Sequence, residues 1–328
     1  GYVDDYTTQL FVTINNCIIS EIIGLAGVIS NIINVIVFYK QGFQDTVNIS
    51  LFGLSVSDLG SLLTLQWENI CFNPLFQQLD LPFDPSEIEH VTAGWPHVCF
   101  ARITSMITAY ITFERCLCVA MPLKVKIILT PKRTSFIIVG IFLVMFASTS
   151  PIFTVYWLQE KFNSVRNRTL ISIVYAPNRE VVERITLATN NVLSYISFFS
   201  VSIFTAVLVT NLNRKTKWRQ NSAVTDRTSV ASTRDNRVVK MVISISVVFI
   251  VCFAPNTMMF LGTMISPEFG TAGHLRNLNY ILVLFGFSME AINSSTSILI
   301  YLKMSSKYKQ AFDEIFLCFK STKSKYKK

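Results

Sequence analysis

Three ionisable residues interrupt stretches of chain that are otherwise apolar: Asp58, Arg102 and Glu290. A fourth group, Glu114-Arg115-Cys116, closes another such stretch. Charge inside a bilayer is costly, so residues of this kind face a partner, a water-filled cavity or a substrate path. The chemistry open to them is cation coordination, ion or proton transfer, ligand anchoring, or a charge-based conformational lock. Hydrolytic chemistry is disfavoured by the motifs, since neither His-Glu-x-x-His nor Gly-x-Ser-x-Gly occurs and His90, His97 and His274 lack metal spacing. Arg115 has two readings at this stage, an arginine snorkelling from a helix end or one half of a switch.

The elements that must position these groups are membrane spans. Of the 328 residues, 51% are hydrophobic and 15% charged, against about a quarter charged in soluble domains. Several apolar runs exceed the roughly 20 residues that cross a bilayer core. They fall at about 17–39, 47–70, 88–118, 135–157, 184–212, 236–265 and 275–302, giving an all-α bundle of seven spans over 17–302. A short polar N-terminal segment, 1–16, precedes the bundle, and a basic tail, 303–328, follows it. No basic n-region opens the given sequence, so a cleavable signal peptide is not expected within it. The Ser/Thr/Arg-rich stretch 213–234 reads as a flexible linker, with Thr225, Thr228, Ser229, Ser232 and Thr233 as phosphorylation candidates or merely solvated residues. Residues 158–183 read as a polar loop. Tyr308, Phe312, Ile315 and Phe316, spaced with lysines between, read as a short amphipathic helix lying in the membrane interface.

The net charge of +9 is distributed in a way that argues for membrane rather than nucleic acid. Twenty-two lysines and arginines fall on the side of the linker and tail and six on the other. The positive-inside rule therefore places the N-terminus outside and the tail in the cytoplasm, against anionic lipid. Asn167-Arg-Thr169 is then an outward-facing glycosylation sequon, whereas Asn48-Ile-Ser50 faces inward and should be silent. Cys318, beside the interfacial helix, suits palmitoylation. Cys17 and Cys71 lie near outer ends of neighbouring spans, either as a pair or as two buried thiols.

Taken together, these motifs resemble the rhodopsin-like G-protein-coupled receptors over nearly the whole chain. Span one carries Gly27 and Asn31, and span two carries Leu54-Ser-Val-Ser-Asp58. Span three ends in Glu114-Arg115-Cys116 with Pro122-Leu123 beyond it, and span six reads Cys252-Phe-Ala-Pro255. Span seven reads Asn293-Ser-Ser-Thr-Ser-Ile-Leu-Ile-Tyr301. The resemblance implies a sodium ion held by Asp58 with Thr104, Asn293 and Ser297, the last standing where the family has asparagine. It also implies a hinge at Pro255 with Phe253 as its aromatic lever, and a cytoplasmic switch of Glu114, Arg115, Asp235 and Tyr301. Heterotrimeric G protein and arrestin are the implied partners, and the plasma membrane the implied site. Spans three and six, with the loop Lys124 to Arg133, are similar to invertebrate peptide and chemosensory-type receptors.

The family's outer disulfide has no counterpart. The position 25 residues before Arg115 is His90, and 158–183 contains no cysteine. Eighteen residues before Arg115 stands His97 rather than an aspartate, which disfavours a monoamine. The ligand set expected on the outer half is Glu68, His97, Arg102, Phe253, Phe287 and Glu290. Arg102 is either ion-paired, to Glu290 first and Glu68 second, or a ligand anchor; His97 either packs or ligates. A neuropeptide is the first expectation for the ligand and a chemosensory small molecule the second. The rival from another class, a secondary transporter, lacks the internal repeat such proteins show.

Overall fold

Lipid offers a backbone no hydrogen-bonding partner, so apolar runs in a bilayer fold as helices that bond internally. The computed structural model describes residues 3–164, 167–221, 229–265 and 273–317. Among them, seven helices are long and apolar enough to cross a membrane: Asp5–Gln41, Thr46–Phe72, Pro85–Ala120, Pro131–Thr154, Arg179–Arg214, Asn236–Ile265 and Arg276–Met304. An interfacial helix, Ser306–Phe316, follows the seventh.

Local chemistry sets the ends. The first span stops at Gly42, whose φ of 78° strains any residue with a Cβ. Asp45 opens the second by accepting from the Val47 amide at 3.1 Å. Thr130 caps the fourth, with Pro131 in its first turn. Ser305 caps the interfacial helix by accepting from the Tyr308 amide at 3.2 Å.

Several helices outrun the apolar runs that announce them. The first is helical from Asp5, through a π-helical turn over Asn15–Ser20, so most of 1–16 continues the span. Hydropathy misses this because the polar residues there are satisfied against span seven. Asn15 Nδ2 donates to the Leu284 carbonyl at 3.3 Å, and Ser288 donates to Asn15 Oδ1 at 3.0 Å. The stretch expected as a flexible linker is helical through Asn221 and again from Ser229. Lysines, arginines and glutamine are good helix formers, and no Gly or Pro interrupts them. The fourth span ends earlier than 157, because Pro151 leads a 3₁₀ turn over Ser150–Thr154. Tyr156 and Trp157 then enter an antiparallel hairpin, β1 (Tyr156–Asn163) paired with β2 (Arg168–Tyr175), where a polar loop was expected.

Without a hydrophobic force between helices in lipid, small side chains and buried hydrogen bonds hold the bundle. Asn31 Nδ2 donates to the Ser294 carbonyl at 2.8 Å, tying span one to span seven. Asn34 donates to Ser297 at 3.2 Å and accepts from Tyr308 at 2.6 Å, bringing in the interfacial helix. Burial pushes the Tyr308 phenol upward, which keeps it a neutral donor. Gly27 lies directly under Leu62 and Ser295, with a Cβ there only 2.7 Å from Leu62 Cδ1. Cys17 and Cys71 are both free thiols, so the pairing weighed for them is not formed. We expect Gly27→Val to force spans one, two and seven apart at a cost of about 1–3 kcal/mol. Thermal unfolding of the detergent-solubilised protein should show a midpoint several degrees below wild type.

Candidate functional site

The polar residues fall into three layers along the bundle. At the end bearing the interfacial helix, Glu114 is buried and Arg115 Nη2 donates to its Oε1 at 2.7 Å. The same carboxylate accepts from Thr46, and Ser50 lies 3.5 Å from its other oxygen. Both hydroxyls sit one turn apart at the start of span two, so a single carboxylate binds the arginine and couples two helices. Nearby, Thr112 and Ser246 hydroxyls lie 2.9 Å apart, linking spans three and six. Tyr301 is fully buried between Phe38 and Tyr308, at ring-centroid distances of 5.1 and 5.4 Å. The Asp235 side chain and Cys318 lie outside the described residues, as do the side chains of the five phosphorylation candidates.

The middle layer centres on Asp58. Its Oδ1 accepts from Thr104 at 2.9 Å and from Ser294 at 2.9 Å. Ser294, one residue beyond the expected Asn293, makes the contact because a one-residue step turns a helix face by about 100°. Ser297 points instead to Asn34. Asn293, Ser297 and Thr108 line with Asp58 a cavity of about 10 Å³, the size of one water. A carboxylate, hydroxyls and an amide around such a space suit a small hard cation. Above it Pro255 lies inside its helix, removing one backbone hydrogen bond, and Phe253 stacks on Phe249 at 4.3 Å.

The layer toward the hairpin gathers most of the sequence-derived ligand set, but with different pairings. His97 Nδ1 faces the Ser61 carbonyl at 3.0 Å, which can only accept, so this nitrogen carries a hydrogen. Its Nε2 lies 3.4 Å from Glu290 Oε2, while Asn256 donates to Glu290 Oε1 at 2.8 Å. Phe287 packs edge-on against the imidazole at 4.8 Å. Glu290 is therefore held by His97 and Asn256, and the ion pair expected between Arg102 and Glu290 is not made. The pair with Glu68 is absent too: among the described residues no carboxylate lies within 4.0 Å of Arg102. Sequence reasoning overlooked Asn256, one residue past Pro255. Glu68 is buried within electrostatic reach of His97, Glu290 and Glu89, and its Oε2 has no hydrogen-bond partner among the described residues.

His90 occupies the place of the absent disulfide and does a related job without a covalent bond. Trp95 donates to its Nε2 at 3.3 Å, the Tyr156 hydroxyl lies 3.2 Å away, and Glu183 is at 3.8 Å. Arg179 lies over the rings of Tyr175, at 4.1 Å, and Tyr156, at 5.8 Å. At the other edge of the hairpin, Glu87 accepts from the Ile173 amide at 3.0 Å, and Arg168 bonds Asp80 and the Leu81 carbonyl. Asn167 is exposed at the turn with a left-handed φ of 49°, open to modification. Asn48, the other sequon, is buried and bonded to the Phe38 carbonyl at 2.9 Å.

A buried carboxylate–arginine pair at one end, a mid-bundle aspartate and a proline inside the sixth span recur together in one family. Residues 30–294 match the 7 transmembrane receptor (rhodopsin family). The chain belongs to that family. A search of curated proteins found no match. As a rhodopsin-family receptor it is a multi-pass membrane protein, and membership brings with it an extracellular ligand and coupling to a G protein. The staple around His90 yields a direct expectation. His90→Ala should raise amide hydrogen exchange across residues 156–175 while leaving spans one and two unchanged, read by mass spectrometry.

Proposed function

We propose that this receptor sits in the plasma membrane with its hairpin outside and its basic tail in the cytoplasm, and that it answers a peptide. The observation that supports a peptide is the series of buried charges of both signs along the outer half: Glu68, Glu89, His97, Arg102 and Glu290. A small apolar odorant has no use for them, whereas a peptide carries charges and amides at intervals along an extended chain. The chemosensory alternative rests on no feature of comparable weight. Phe253, Phe287 and His97 would supply its walls, and Asp58 with Thr104, Ser294, Asn293 and Ser297 would hold a sodium ion beneath.

Binding is converted to signalling by shifting a population between bundle arrangements. Pro255 frees the cytoplasmic half of span six to swing, and the Glu114–Arg115 pair is the contact that must be exchanged when it does. Arg115 then becomes available to the G protein, and later to arrestin, on a face whose lysines and arginines also contact anionic lipid. Asp235 lies twenty residues before Pro255 in the sequence, and its proposed role is that of a second acceptor for the arginine.

Reconstituted receptor mixed with heterotrimeric G protein provides the test, with nucleotide exchange as the readout. A library of short peptides should contain activators, and a library of neutral volatile compounds should not. Activation by the volatiles alone would establish the chemosensory reading. Glu114→Gln should raise ligand-free exchange roughly fivefold or more, the low end of ordinary allosteric coupling. Asp235→Asn should act in the same direction, and unchanged basal exchange in both variants would exclude the lock.

A further inference from the structure

Arg102 lies thirteen residues from Glu89 and thirteen from Arg115 along span three, about 20 Å from each at 1.5 Å per residue, and so at mid-membrane. It is 5% exposed and its Nε has no hydrogen-bond partner. The acid best placed to neutralise it, Glu290, is occupied by His97 and Asn256. What it does face is the Phe260 ring, 5.9 Å from the guanidinium carbon, with Glu290 and then Tyr195 within electrostatic reach but neither hydrogen-bonded to it. Tyr195 in turn donates to Met264 Sδ at 3.7 Å near the outer end of span six. Because helical side chains lean toward the N-terminus, which for span three is the outer side, Arg102 reaches up between spans three, five and six.

A buried carboxylate without a partner can take up a proton, but a guanidinium has no such escape. An uncompensated buried cation costs several kcal/mol, and apolar replacements of similar volume are often neutral or stabilising. A purely structural role therefore leaves the arginine unexplained. Resting on the receptor reading above, we propose that Arg102 binds a carboxylate of the ligand, inserted from outside between spans three, five and six. The planar fork of donors matches a carboxylate with two parallel hydrogen bonds, and Phe260 covers one face of the pair. Glu68 and Glu89, nearer the mouth, lie in a separate acidic layer. A peptide whose free C-terminus enters first, with basic residues trailing, has the matching polarity.

The test uses the purified full chain in lipid nanodiscs at neutral pH and constant salt. The probes are N-acetyl-glycine, N-acetyl-leucine and N-acetyl-phenylalanine, each beside its primary amide at equal millimolar concentration. At least one acid should raise the unfolding midpoint of the wild type where its amide does not, and Arg102→Met should lose that shift. Without probe, Arg102→Met should unfold at or above the wild-type temperature, because it removes an unpaired charge. Arg102→Lys, which keeps the charge, should retain a weakened acid shift and guards against a folding defect. Equal shifts for acids and amides, no shift for any acid, a shift that survives Arg102→Met, or a lower midpoint for probe-free Arg102→Met would each overturn the proposal. The peptide reading stands or falls separately: peptides that activate nucleotide exchange equally in wild type and Arg102→Met overturn the carboxylate site alone. An acid-selective shift in a receptor that only volatile compounds activate would overturn the peptide and leave the carboxylate site.

Discussion

Nothing in a bilayer core will hydrogen-bond a stranded polar group, and this constraint organises the whole bundle. It explains why Asn31 and Asn34 point at span seven rather than at lipid, and why Asp58 collects hydroxyls from spans three and seven. It also explains why the first helix can carry two asparagines past the end of its apolar run. Each polar side chain selects its neighbour, so the polar residues specify which helices touch. The apolar ones specify only that they are in the membrane.

The same constraint gives the two ends of the receptor different characters. At the end bearing the interfacial helix one carboxylate, Glu114, serves an arginine and two hydroxyls at once. A carboxylate shared in this way couples spans two and three through one group. From mid-bundle toward the hairpin, Arg102 Nε and Glu68 Oε2 have no hydrogen-bond partner among the described residues, and Arg115 Nε at the other end has none either. A layer of buried ionisable groups short of hydrogen bonds has somewhere to gain free energy from a ligand.

The seven spans and the helix that continues through Pro255 were legible because each is written in the local chain: about twenty apolar residues, or a proline among them. Glu114 and Arg115 are adjacent in sequence, so their pairing needed no tertiary information. Pairings across helices were less legible. Arg102 and Glu290 share a layer, but sequence could not show that Asn256 and His97 arrive first. Ser294 rather than Asn293 meets Asp58 for a similar reason, since helix rotation is fixed by packing. The hairpin was missed because its strands are partly polar and exposed. Its attachments, Glu87 to Ile173 and His90 to Tyr156, join residues 86 and 66 positions apart.

That hairpin is fastened by an imidazole, a guanidinium on aromatic faces and backbone bonds, while all six described cysteines are free thiols. Its assembly therefore asks nothing of the oxidising machinery that disulfide-bridged proteins require. The contacts that fasten it are hydrogen bonds, ring contacts and a nearby carboxylate, none of which depends on redox state. A reductant that would unfasten a disulfide-bridged outer loop has no bond to act on here.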